Sequence, residues 1–248
     1  MMNERATRGA SVTSTKNGWR LGIQKGDSLT YRDAQLDDYS LLPRHKFPHR
    51  TLSLSLLARA SSSSLPGTWG FGLWNDPFGM SLGFGRSPFR LPTLPNAVWF
   101  FYGSPENYLS FASDDRVPRP PANGFMAQAF RSPKFHPLLI PAGLALPFTH
   151  RTARRLLSRV IAEEGVALGV DVTQWHAYGL DWNPKRALFY LDGALVFESE
   201  VSPHVPLGLV IWVDNQYAAF TPDGKIAAGV VENGENWVEV ENIVMSDA

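Results

Sequence analysis

The chain has 248 residues, with 23 Lys+Arg against 23 Asp+Glu, 44% hydrophobic and 12% aromatic residues, and no cysteine. One large all-β domain fits that length, and the apolar content is ample for a core. Zero net charge removes the long-range attraction expected of a nucleic-acid partner. The lack of cysteine excludes disulfides, thiol nucleophiles and cysteine-based zinc sites.

Residues 1–17 are polar and are expected to form a flexible tail ahead of a single domain over 18–248. They lack the apolar core of a secretory signal, and no run approaches the roughly 18 apolar residues of a membrane span. A soluble, cytoplasmic protein is therefore expected. Trp19–Leu29 and Leu29–Asp38 read as two early strands. Leu52-Ser53-Leu54-Ser55-Leu56 alternates strictly, as a strand with one buried and one polar face does. In Thr68–Trp74 glycine alternates with bulky residues, which leaves one face bare over Gly70 and Gly72 for a ligand or another backbone. Ala97–Tyr102 and Tyr108–Ala112 read as a hairpin.

From Arg116 to Leu168 the pattern changes, and the stretch reads as an insertion. Leu138–Phe148 is strongly apolar, yet its prolines and glycine prevent a regular strand or helix. Residues 150–164 are the one convincing helix. Ala153, Leu156, Leu157, Val160 and Ile161 repeat at helical spacing, and Arg151, Arg154, Arg155 and Arg159 form the other face. Two placements of 138–160 fit: a lid over a cleft, or contact with an anionic membrane surface. The lid is preferred, because a helix this short is marginal without tertiary packing.

Ala177–Trp182, Ala187–Leu191 and Ala194–Phe197 read as three strands, the last two joined by Asp192-Gly193. Asp-Gly between apolar runs suits a turn with two positive φ angles. Leu207–Val213 is a continuous apolar run, expected to be buried on both faces. Trp237–Val244 alternates as a closing strand.

Trp175, His176, Tyr178, Trp182, Pro184, Phe189, Tyr190, Asp192 and Gly193 follow the pattern W-H-x-Y-x-x-x-W-x-P-x-x-x-x-F-Y-x-D-G. This resembles the second half of glycoside hydrolases of family 16, the laminarinase and lichenase type. The resemblance implies an all-β concanavalin A-like jelly roll: two stacked antiparallel sheets with a cleft on the concave one. It also implies two catalytic carboxylates on one strand, spaced E-x-D-x-x-E or E-x-D-x-E. The matching strand here, Ala97–Tyr102, has no carboxylate, and between Tyr39 and Glu106 the only acidic residue is Asp76. Retaining hydrolysis needs a nucleophile and an acid about 5–5.5 Å apart, so that mechanism is not expected.

Aromatic residues stand where the acids would be. Trp69, Trp74, Trp99, Phe101 and Trp212 fall on strands expected near the cleft and are ligand-binding candidates, as sugar faces stack on such rings. Asn215 and Gln216, after the buried run, are candidate polar partners. Each has a plainer reading, as core ring or turn residue. Two functions are weighed. The first is non-hydrolytic binding of a sugar, glycolipid or small apolar ligand. The second is an enzyme of different chemistry on a small apolar molecule, with Asp76, Asp214 or His176 as acid or base. No cofactor is expected. The family resemblance adds a weak structural calcium site at Asp37, Asp38 and Glu241.

Overall fold

A computed structural model describes residues 2–77, 90–112, 116–133 and 150–247. It is an all-β sandwich of two seven-stranded antiparallel sheets, with a separate two-stranded ribbon. The first sheet runs β1 (Asn3–Ala6), β4 (Asp33–Asp37), β13 (Gly208–Asp214), β6 (Thr68–Trp74), β7 (Ala97–Gly103), β8 (Gly124–Arg131), β9 (Ala162–Ala167). The second runs β12 (Ala194–Ser199), β11 (Arg186–Leu191), β10 (His176–Asn183), β5 (Leu52–Ala60), β16 (Asn236–Ser246), β3 (Gly18–Ile23), β2 (Ala10–Ser14). Such an architecture is the jelly-roll sandwich expected from the sequence.

Side-chain alternation builds the core. Leu52, Leu54, Leu56, Ala58 and Ala60 of β5 face Trp69, Phe71 and Leu73 of β6 and Val98, Phe100 and Tyr102 of β7 in one buried cluster. Phe71 and Phe100 meet Tyr178 edge-on at 5.0 and 5.1 Å, and Phe100 meets Phe189 at 5.3 Å. Burying rings of this size supplies roughly 1.5–3 kcal/mol each. The Asp192-Gly193 turn has φ of 51° and 82°, as that dipeptide requires.

β7 and β13 are buried along their whole length, so the first sheet is covered on its outer face too. A second apolar cluster lies there, containing Trp99, Phe101, Met126, Phe130, Val210 and Trp212, with Ile161 from the segment after the helix.

Several expectations need correction. Residues 3–6 and 10–14 are edge strands, not a loose tail; β1 pairs with β4 and β2 with β3. The segment 116–168 is not wholly an insertion, because β8 and β9 within it are integral strands of the first sheet. Ala97–Gly103 forms its hairpin-like pair with β8, while Tyr108 makes only an isolated bridge to Ala219. The helix α1 (His150–Val160) stops earlier than expected, since Ala162–Ala167 is needed as the sheet edge. Residues 138–149, the centre of the expected lid, lie outside the described residues.

Candidate functional site

On the outer face of the first sheet, alternate residues of four neighbouring strands point the same way. These are Asp33 and Gln35 from β4, Trp212 and Asp214 from β13, Thr68 and Trp74 from β6, and Trp99 and Phe101 from β7. They line a cavity of about 480 Å³. Leu157 and Ile161, on α1 and just after it, and Gln216, Tyr217 and Ala218 from β14 (Gln216–Phe220), which pairs with β15 (Ile226–Val230), also line it.

The aromatic wall is built on glycines. A Cβ on Gly70 would stand 2.8 Å from Trp212 Cη2, and one on Gly72 would stand 2.6 Å from Trp99 Cβ. The bare face of β6 is therefore filled by tryptophans of the strands on either side. Trp212 stacks parallel to Trp74 at 6.3 Å and 4°, and tilts against Trp99 and Phe101, both at 5.6 Å. Its indole Nε1 donates to Thr68 Oγ1 at 2.9 Å, and that hydroxyl donates to Asp214 Oδ1 at 2.8 Å. One hydrogen-bonded line thus joins the aromatic wall to the polar one.

The polar wall holds two carboxyl groups in cross-strand register, Asp33 of β4 opposite Asp214 of β13. Burial first, and then the Asp214 charge, push Asp33 up to about 8 against the pull of Arg5. Burial also pushes Asp214 up to about 7, against hydrogen bonds from Thr68, the Gln216 N–H and Tyr31. Like charges placed directly opposite on neighbouring strands are unfavourable, so the pair retains a proton near neutral pH. The sequence reading missed Asp33. Its signal was cross-strand register with Asp214, which only the strand order reveals.

The other candidates separate clearly. Asp76 lines the cavity, but its carboxylate is bound to Arg90 at 2.8 Å, both side chains almost fully buried. Arg90 also donates to the carbonyls of Tyr39, Ser40 and Leu42. Glu163 is spoken for too: Oε2 accepts from the Phe111 and Ala112 N–H groups and Oε1 from Gln128 Nε2. Trp69 points into the inter-sheet core, stacked 5.0 Å from Phe125, and not into the cavity. Parity explains this: Trp69 is one residue out of step with Thr68 and Gly70. Asn215 is fully buried and ties three segments together, accepting from the Arg32 N–H and donating to Thr30 O and Val231 O.

His176 stands on the second sheet, where its Nδ1 lies 2.7 Å from Asp192 Oδ2, so it cannot act in the cavity. The calcium trio does not converge. Asp37 Oδ1 accepts from the Tyr39 and Ser40 N–H groups, Asp38 meets His49 at 2.6 Å, and Glu241 lies on β16 of the other sheet. Among the described residues no group of three or more His, Cys, Asp or Glu side chains is placed to hold a metal ion.

The helix faces also differ from the helical-wheel expectation. Leu157 turns to the cavity, but Leu156 and Val160 are exposed, and Arg154 is buried. The Arg154 guanidinium lies 5.4–5.8 Å from the ring centres of Phe220, Tyr108 and Phe111. Cation–π contact and a hydrogen bond to Ala112 O offset its burial.

No family model and no curated protein matches this chain. Solved structures do. A GlcNAcα1-4Gal-releasing endo-β-galactosidase from Clostridium perfringens is similar at a TM-score of 0.50 and 12% identity, over 96% of this chain and 54% of that one. A Bacillus licheniformis β-glucanase is similar at 0.47 and 12%, over 98% and 83%. A third, LamAcat from Zobellia galactanivorans, is similar at 0.46 and 12%, over 94% and 81%. The chain thus spans about half the length of the endo-β-galactosidase chain, and the likeness is one of fold, the jelly-roll sandwich.

Proposed function

We propose that this protein binds a short saccharide in the cavity on its first sheet and does not hydrolyse it. The observation that carries the reading is the pairing of a tryptophan wall with a polar wall across one cavity. Trp74, Trp99 and Trp212 offer apolar surface to the apolar face of a pyranose ring. Gln35, Thr68, Asp214 and Gln216 offer partners to its hydroxyl edge. A volume of about 480 Å³ is of the size that encloses a small ligand. The fold likeness to an endo-β-galactosidase supports a sugar as the ligand class without fixing it.

The non-hydrolytic reading is supported by where the carboxyl groups stand. The resembling family sets its nucleophile and its acid on one strand, about 5–5.5 Å apart. Here Asp33 and Asp214 come from two different strands, β4 and β13. Asp76 and Glu163 are engaged elsewhere. Strands β6 and β7 contribute no acid at all.

The test is titration calorimetry with gluco-, galacto- and manno-oligosaccharides, alongside a reducing-end assay on the same compounds. Binding of at least one series, lost in Trp212→Ala and without release of reducing ends, is expected. Reducing-end release that disappears in Asp214→Asn would overturn the non-hydrolytic reading. Failure of every series to bind would overturn the saccharide.

A further inference from the structure

Charge in the cavity is unevenly matched. Asp76 has Arg90, and Arg44 reaches the Asp76 and Asn75 carbonyls. Asp33 and Asp214 face the space from opposing strands, and Arg5 of β1 is the one cationic residue among the described residues that line it. Asp37, further along β4, adds a negative field, while Tyr31, Gln35, Thr68 and Gln216 are neutral. Two carboxyl groups thus meet one guanidinium beside the aromatic wall. Ring faces attract cations through their quadrupole, so both walls favour positive charge.

We propose that the cavity selects a saccharide carrying a free amino group, its ammonium held at Asp33 and Asp214 and its apolar ring face against the tryptophan wall. The proposal rests on the saccharide reading above and names the sugar class. A neutral sugar leaves the like-charged pair unresolved, so one carboxyl keeps its proton. An ammonium supplies the missing positive charge. The carboxyl then ionises, its proton passes to solvent, and the N–H donors of the ligand take the freed oxygens. Charge is conserved: one cation enters as one proton leaves.

Calorimetry at pH 6.5 with the glucosamine disaccharide, its N,N′-diacetyl form and cellobiose tests this, each in two buffers of different ionisation enthalpy. The amino disaccharide is expected to bind at least about tenfold more tightly than the other two. It is expected to release a fraction of a proton, seen as a heat that depends on the buffer. Asp33→Asn and Asp214→Asn, each checked for fold by circular dichroism, should both shrink that preference. Equal binding of cellobiose, or amino-sugar binding with no proton release, overturns the proposal and leaves the saccharide reading standing. If no saccharide binds but tyramine does, with proton release, selection of a cation holds and the saccharide reading falls. If neither saccharides nor tyramine bind, both fall.

Discussion

The buried carboxyl pair should make the protein less stable as the solution becomes alkaline. Asp214 is 7% exposed, and folding raises its pKa from an ordinary 3.8 to about 7. Each tenfold change in proton affinity corresponds to about 1.36 kcal/mol, so Asp214 alone carries a ceiling of ~4 kcal/mol. The sign follows from the raised value. The contribution is fully present below the unfolded pKa near 4 and is lost as pH rises through about 7, and through about 8 for Asp33. Between pH 5 and pH 9 the loss attributable to Asp214 is on the order of 3 kcal/mol. The two groups titrate as a pair, so their losses do not add in full. Urea unfolding at pH 5 and pH 9 measures it. Glu163, also raised by burial, contributes in the same direction, so wild type is compared with Asp214→Asn. The asparagine keeps an acceptor for the Thr68 hydroxyl but cannot ionise. Its pH 5–9 loss should be smaller than that of wild type, the remainder coming from Asp33 and Glu163. A wild-type stability that is flat or rises over this range, or an unchanged slope in the variant, would refute the reasoning.

Other outcomes follow from the same geometry. Gly70→Ala places a Cβ 2.4 Å from Phe100 O and 2.8 Å from Trp212 Cη2. It should cost about 1–3 kcal/mol, read as a lowered Tm, and weaken ligand binding by shifting Trp212. Asp76→Asn leaves the buried Arg90 guanidinium without its carboxylate and should cost about 3 kcal/mol in denaturant unfolding. His176→Ala should cost about 1 kcal/mol or less, since the Asp192 carboxylate it meets is more than half exposed. It should leave ligand binding unchanged, which a calorimetric titration would show.

Period-2 alternation, an Asp-Gly turn and a buried apolar run marked the strands, and the resemblance to family 16 glycoside hydrolases implied the jelly roll. The residues that carry the family resemblance turn out to serve the fold. Tyr178, Trp182 and Phe189 are buried between the sheets, and Trp182 Nε1 donates to Ser202 Oγ. Trp175 lies under the Arg59 guanidinium on the second sheet, away from the cavity. Trp74, Trp99, Phe101 and Trp212 were picked out because they fall on strands expected near the cleft, and all four line the cavity. Trp69 was misplaced by a single step of parity, the error to which strands are most prone. Asp33 was invisible for a different reason. Its partner is 181 positions away in the chain, and only the neighbouring of β4 and β13 in the sheet brings the two together. The burial of Arg154 was hidden likewise, because Tyr108, Phe111 and Phe220 reach it from separate segments.

A crystal structure of the protein soaked with the tightest-binding saccharide tests the central claim most directly. The account predicts a pyranose ring in the cavity, its apolar face against Trp74, Trp99 or Trp212. It also predicts a ligand polar atom within hydrogen-bonding distance of Asp33 or Asp214. A saccharide bound elsewhere, for instance on the second sheet beside Trp237, with the cavity empty, would contradict it.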